Sequence, residues 1–272
     1  MPEGDAVLRT ARRLDAALTG RRLAETDFRV PALATVDLSG AVVVGSLARG
    51  KHLLTRIDAS DRAWTLHTHL KMEGSWRLLH PGQRWPRPAH EARVVLRTRA
   101  ERAPTGQDLP AVEAVGFRLG IVELLRRDHE ATAVGHLGPD VLGDDWSTQA
   151  AVRRLLTTDR PVFEAIRDQE LVAGIGTIYA SEACFVTGTA PSRPVGEVDD
   201  LPRLLERARE LMQHEWSRTG RMWVYGRRSC RRCGGPVRRD RFAVPGAGRR
   251  HDVRVEAMGQ AAYWCPRCQP AD

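Results

Sequence analysis

The sequence predicts an α+β protein of several domains, and three observations carry that prediction. Its 272 residues exceed the size at which a single hydrophobic core usually stops growing. Short β-prone segments fill the N-terminal half, and helical periodicity replaces them in the C-terminal half. Four of the five cysteines fall in the last 43 residues, paired at metal-ligand spacing. With 42% apolar residues the chain has ample material for packed cores, which excludes wholesale disorder.

The elements follow in order. Val7, Leu8, Ala11, Leu14 and Leu18 fall at helical spacing, with Gly20 as a C-terminal stop. This helix starts almost at the first residue, so the chain's amine lies at a helix N-terminus. From residue 21 to about 125, segments such as 41–44, 53–57, 64–67 and 93–96 are short, β-prone and bounded by Gly, Pro or charged turns. They predict a β-sandwich or a barrel. From Asp145 onward, residues 147–158 (Ser147 as N-cap), 161–169, 176–186 and 200–217 show helical spacing. The tail from 221 to 272 is a third unit, in which Val244 to Gly248 read as a loop.

The net charge of +8 and a pI near 9.9 point to a polyanionic partner, with nucleic acid first; a generally basic surface is the plainer account. No apolar run approaches the roughly 18 residues a bilayer span needs. The acids Glu3 and Asp5 stand where a secretory signal would carry basic residues. A soluble, intracellular protein is therefore expected. Of the 42 basic residues, 40 are Arg, leaving only Lys51 and Lys71 as amines able to deprotonate or attack.

Cys230-x-x-Cys233 and Cys265-x-x-Cys268 can each clasp one edge of a tetrahedral ion, and four thiolates close a structural zinc site. The interval of 31 residues between the pairs is longer than usual. Cys184, among Ala183 and Phe185, reads as a small core residue. Trp223, Tyr225, Tyr263 and Trp264 flank the cysteines and read as support for a metal unit too small to have its own core. The glycine turn 171–177 leads into a helix, a geometry that either converges N–H groups on an anion such as phosphate or simply connects two helices. His67 and His69 share one face of a strand and read as packed or hydrogen-bonded histidines, since no third metal ligand is apparent. Removal of Met1 would expose the secondary amine of Pro2, a group partly neutral near pH 7 and able to form an imine. Glu3 beside it could move the accompanying protons.

Several of these segments together resemble one family. Met1-Pro2-Glu3-Gly4-Asp5, Arg49-Gly50-Lys51-His52-Leu53-Leu54 and the stretch from His69 to Trp76 are similar to formamidopyrimidine-DNA glycosylase and endonuclease VIII. So are Asp168-Gln169 with residues 172–176, the run from Trp223 to Arg227, and the closing Tyr263 to Gln269. The start and the Met72 segment resemble the actinobacterial endonuclease VIII branch most. The resemblance implies a catalytic β-sandwich domain (1–125), a linker (126–144), a helix-two-turn-helix DNA-binding domain (145–220) and a zinc-finger hairpin (221–272), with DNA held between them. It implies one structural zinc ion on Cys230, Cys233, Cys265 and Cys268, no organic cofactor, and a nucleoid-associated cytoplasmic monomer.

The implied activity is that of a bifunctional glycosylase and abasic-site lyase in base excision repair, acting on a flipped-out oxidised base, pyrimidines favoured over 8-oxoguanine. Pro2 would attack the sugar C1′ and hold the product as an imine, with Glu3 moving protons and Lys51 beside the sugar-phosphate. Elimination at both phosphates would leave a one-nucleotide gap. Met72 matches the side chain that fills the hole left by the base, and Arg118 and Leu119 stand where an Arg-Phe pair serves the orphaned partner base. Gly174, Gly176, Thr177, Arg227 and Gln260 match backbone-gripping positions. The chain departs from the pattern at Thr177 (commonly Asn), Gln260 (commonly Arg) and Ala6 (commonly an acid). The first two weaken the implied grip on phosphate, for which Arg238, Arg239, Arg241, Arg249 or Arg250 could compensate. They support an alternative reading, in which a DNA-binding family member has weak or lost glycosylase activity and acts mainly as a lyase or damage-binding protein.

Overall fold

The computed structural model describes residues 2–102, 105–243 and 259–270. Met1, the loop expected at Val244 to Gly248, and Arg249 and Arg250 lie outside the described residues. No helix is long and apolar enough to cross a membrane among the described residues. The chain divides into two compact units, one of residues 1–2 and 6–136, the other of Glu3–Asp5 with Leu137–Asp272.

In the first unit, helix α1 (Gly4–Leu18) buries Val7, Ala11, Leu14 and Leu18, the stripe its spacing predicts. Gly20 follows with φ of 80°, a left-handed stop. Ten strands follow: β1 (Leu23–Phe28), β2 (Val42–Arg49), β3 (His52–Asp58), β4 (Ala63–His69), β5 (Ser75–Leu79), β6 (Ala92–Thr98), β7 (Glu101–Arg102), β8 (Asp108–Leu109), β9 (Glu113–Phe117) and β10 (Ile121–Arg126). They form two four-stranded sheets, β1-β6-β9-β5 and β10-β4-β3-β2, beside a small β7-β8 pair. Of the two β architectures expected, the sandwich is the one formed. Leu53, Ile57, Leu66, Val94, Leu96 and Ala114 lie in its core with the apolar face of α1. The short helix α2 (Ala131–Val134) closes the unit.

The second unit holds α3 (Thr148–Leu155), α4 (Val162–Ala165), α5 (Thr177–Thr187) and α6 (Leu201–Gln213). Ser147 caps α3 by accepting the Ala150 N–H at 3.3 Å. The helix expected over 161–169 is only the four residues of α4. Asp168 takes the Glu170 N–H on its own side chain at 3.0 Å, and such local bonds compete with helix continuation. The helix expected over 200–217 ends at Gln213, before Glu215 turns left-handed with φ of 46°. Cys184 is fully buried in the helical core, and burial pushes its thiol up to about 12. In the tail, β11 (Arg238–Phe242) and β12 (Gln260–Trp264) pair antiparallel.

Candidate catalytic and nucleic-acid site

The turn before α5 binds an anion that the chain itself provides. Glu3, 1% exposed, accepts the N–H of Gly176 at 2.9 Å, of Ile178 at 2.7 Å and of Tyr179 at 3.4 Å. These donors belong to the unpaired first turn of a helix, where the positive end of the macrodipole also lies. Two glycines make room for this. A Cβ at Gly176 would sit 2.4 Å from Glu3 Cδ and 2.6 Å from its Oε1. Gly174, at φ of 101°, accepts the Gly4 N–H at 3.0 Å and packs so tightly on Gly4 that a Cβ there would meet Gly174 Cα at 3.0 Å. Next along the chain, buried Asp5 accepts the Tyr179 hydroxyl at 2.7 Å. Burial first, and Asp5 second, raise that phenol above its ordinary value.

Pro2 is half-buried and belongs to the sandwich unit, as does Lys51. Lys51 stands in the turn joining β2 to β3, where Gly50 adopts φ of 57° and Arg49 pairs with His52. The neighbouring turn carries Lys71 and Met72, because His52 pairs with His69 at the end of β4. Lys71 itself has φ of 50°, and His69 Nδ1 accepts its N–H at 2.9 Å. The Lys71 stem lies where a side chain at Gly120 would be, a Cβ there coming within 2.1 Å of Lys71 Cγ. Met72 projects from this turn 65% exposed. His67 and His69 are hydrogen-bonded, as expected: His67 Nε2 meets His52 Nδ1 at 2.8 Å and its Nδ1 meets Glu123 Oε2 at 2.9 Å.

Arg118 and Leu119 diverge. The Arg118 guanidinium holds Glu73 at 2.6 Å and Glu91 at 2.5 Å. Leu119 is buried in the sandwich core, 6% exposed, against Gly116. Arg227 is exposed and donates to the Ser229 carbonyl at 3.2 Å.

Thr177 and Gln260, the two departures from the family pattern, meet. The Thr177 hydroxyl donates to Gln260 Oε1 at 3.2 Å, and Arg167 donates to the same oxygen. With both donors on Oε1, the amide NH2 of Gln260 is the end left to donate elsewhere. Arg167 is 4% exposed and also holds the carbonyls of Phe163 and Ala243, each at 2.9 Å. Burial lowers its guanidinium to about 10. Arg238 and Arg239, expected as possible compensating charges, lie over the rings of Trp264 and Tyr263. Sequence reasoning missed Arg167 because it sat inside a segment read as helix.

The four cysteines converge as predicted, with every sulfur within 4.8 Å of the others. Cys230 Sγ lies 3.9 Å from Cys268 Sγ, and Cys233 Sγ lies 3.5 Å from Cys265 Sγ. A tetrahedron of thiolates bound at about 2.3 Å has edges near 3.8 Å, so this donor set fits a zinc-sized ion. Without a cation the thiols diverge: N–H donation, chiefly from Gly235, draws Cys233 down to about 7, while burial drives Cys268 up to about 12. Among the described residues no other group of His, Cys, Asp or Glu side chains could hold a metal. Phe185, Val224, Trp223 and Tyr263 pack against the cysteines. Glu182, fully buried in α5, anchors this region by accepting the N–H groups of Trp223, Val224 and Tyr225 at 2.8, 2.9 and 2.9 Å.

Comparison with known proteins defines the class. The formamidopyrimidine-DNA glycosylase N-terminal domain matches residues 1–113, and the formamidopyrimidine-DNA glycosylase H2TH domain matches residues 137–220. The chain belongs to this family. It is 45% identical to the probable endonuclease 8 2 of Streptomyces coelicolor, covering 99% of this chain and 94% of that one. It is 42% identical, over the full length of both, to the DNA-(apurinic or apyrimidinic site) lyase Nei2 of Mycolicibacterium smegmatis. The membership is thus on the actinobacterial endonuclease 8 side. Its fold matches that of Lactococcus lactis formamidopyrimidine-DNA glycosylase bound to DNA containing an AP site, with a TM-score of 0.77 at 19% identity over 99% of this chain and 100% of that one.

Proposed function

We propose that this chain is a bifunctional DNA glycosylase and abasic-site lyase of base excision repair, removing oxidised bases, pyrimidines favoured. The observation that carries this reading is the Glu3 carboxylate, fixed by three backbone N–H groups one residue from Pro2. A protein that only binds damage leaves that arrangement unexplained, so the alternative reading is not favoured.

In the proposed reaction the Pro2 amine attacks the sugar C1′, the C1′–base bond breaks, and the departing base takes a proton. The nitrogen loses its proton, its electron pair forms the imine as the C1′–O4′ bond breaks, and the ring oxygen leaves with that bond's pair and takes up a proton. Glu3 moves the protons between the Pro2 nitrogen and the ring oxygen, and Lys51 sits beside the sugar-phosphate. Elimination at the flanking phosphates cleaves the strand, and hydrolysis of the imine frees Pro2. Met72 is the wedge that offsets lost stacking, with Arg118 beside the partner base; Leu119, buried in the core, shapes that turn from beneath. Gln260 presents its amide to the backbone near the lesion, steadied by Thr177 and Arg167, with Gly174, Gly176 and Arg227 shaping the same grip. One zinc ion on the four thiolates holds the finger, and its role is structural because four protein ligands leave no open position. The protein acts as a monomer at the nucleoid, and the finger from 221 onward is its third domain.

Borohydride trapping on DNA carrying an abasic site tests the reading. A covalent adduct mapping to Pro2, with Met1 absent from the purified protein, is the expected result. No adduct, or a retained Met1, sinks the Pro2 mechanism.

A further inference from the structure

Alternation along β3, β4 and β10 places His52, His67, His69 and Glu123 on the sheet face turned away from core residues Leu53, Leu66 and Val122. Three of them form a chain of hydrogen bonds. Glu123 Oε2 meets His67 Nδ1 at 2.9 Å, and His67 Nε2 meets His52 Nδ1 at 2.8 Å. The His67 side chain is 3% exposed, whereas the Glu123 carboxylate is 55% exposed.

Proton placement follows from chemistry. A carboxylate accepts, so His67 donates through Nδ1 and, as neutral imidazole, must accept at Nε2. His52 therefore donates through Nδ1, and its Nε2 carries a lone pair that takes no hydrogen bond among the described residues. The chain thus runs from a solvated carboxylate, through a buried imidazole, to an imidazole lone pair one residue from Lys51.

The surroundings suit passage rather than storage of charge. Burial first, then the charges of His67, His136, Lys71 and Lys51, push His52 down to about 3. The rings of His69 and His136 stand edge-on to His52, at 5.1 and 6.3 Å. A proton arriving at Nε2 cannot rest there, and the Nδ1 proton has a path onward along the hydrogen bonds to His67 and Glu123.

We propose that Glu123, His67 and His52 form a proton relay that carries the proton released in strand cleavage from the Lys51 turn to solvent. The relay rests on the imine reading above. Elimination breaks a C2′–H bond and the C3′–O bond of the adduct. The C–H electron pair becomes the C2′=C3′ bond, the phosphate leaves with the C–O pair, and one proton remains to be removed. It enters at His52 Nε2 while the Nδ1 proton passes to His67 Nε2. The His67 Nδ1 proton then passes to Glu123, from which water takes it. No group is oxidised or reduced.

The test is Glu123→Gln, whose carbonyl still accepts the His67 N–H but cannot take up its proton. On abasic-site DNA, adduct trapping and strand scission are timed separately in single turnovers, from about pH 5.5 to about 8.5. The expected result is adduct formation within about twofold of wild type, scission slower by about tenfold, and restoration of scission by added imidazole. His52→Gln should give the same split. Unchanged scission across the pH range overturns the relay. So does an equal loss of adduct and scission, or slow scission that imidazole leaves slow, since both mark a positional role. A wild-type protein that forms no adduct overturns the imine reading, and the relay with it.

Discussion

In the helical unit, Glu3 and Glu182 are buried carboxylates that each accept three backbone N–H groups. In the sandwich unit, several partly buried polar groups satisfy one another through side chains. Arg56 holds Glu130 through two bonds, at 2.7 and 3.0 Å, Thr65 donates to the same carboxylate at 2.8 Å, and His67 bridges His52 and Glu123. The difference matters for what a mutation can do. Short of proline, no substitution removes a backbone donor, so a cradle fails chiefly when its anion is changed or a side chain intrudes. A side-chain network can be altered one isosteric step at a time, with the fold intact. Charge chemistry can therefore be tuned in these sandwich networks, whereas at Glu3 and Glu182 it is tied to the path of the main chain.

The sharpest way to break this comparison is Glu182→Gln. The replacement is isosteric, but one oxygen becomes an NH2 facing N–H donors, and Trp216 Nε1 also points at this carboxylate from 3.2 Å. Leaving two or three buried donors unmet costs about 3 kcal/mol or more, and the expected loss is about 6–12 °C in Tm. Proteolysis after residue 220 should rise with it, because the Trp223–Tyr225 entry to the finger loses its anchor. A Tm within about 2 °C of wild type would show that the cradle is dispensable.

Gly176→Ala comes next. The backbone there, at φ of −125°, admits alanine, so the cost falls on Glu3, whose carboxyl the new Cβ would overlap. The fold should survive while base release and Pro2 trapping fall by about 100-fold, the scale expected when a reacting group is displaced by about 1 Å. Activity within about tenfold of wild type would mean that Glu3 is not positioned by this turn.

These two residues also show where sequence reading ends. The helix beginning at Thr177 and the convergence of N–H groups before it were visible in the glycine pattern, because φ preference and helix-terminus chemistry are local. The anion was not, since Glu3 lies 173 residues away in sequence, and the turn by itself read equally as a plain connection between helices. The cysteine quartet was legible because its spacing is itself the geometry. Arg167 was not, because the segment holding it reads as helix until Asp168 diverts the backbone, and only then does its guanidinium reach Gln260. Glu182 looked like any helix residue, and its partners are 41 to 43 positions on. Local periodicity specifies elements, while the partners of buried charge are set by how those elements pack.

The smallest expected effect concerns acid. Burial is the leading cause that pushes both His52 and His69 to about 3, against an ordinary value of 6.5. Their native forms bind fewer protons than the unfolded chain, so their contribution to stability is complete above about pH 6.5 and shrinks as pH falls towards about 3. At about pH 6 each should lose a little under 1 kcal/mol, about 1.5 kcal/mol for the pair. Because both native values lie far below that pH, this figure depends almost wholly on the unfolded-state value. His67, Lys51, Lys71 and His136 face these rings and remain to oppose any added charge. Hydrogen exchange at about pH 6 and about pH 7.5, corrected for intrinsic rates, should show protection falling in β3 and β4 of the sandwich, while α5, whose first N–H groups hold Glu3 and whose Glu182 holds the N–H groups of residues 223–225, changes less. Equal loss in both units would show that side-chain networks and backbone cradles respond alike to protons, and the comparison would fail at its smallest energy.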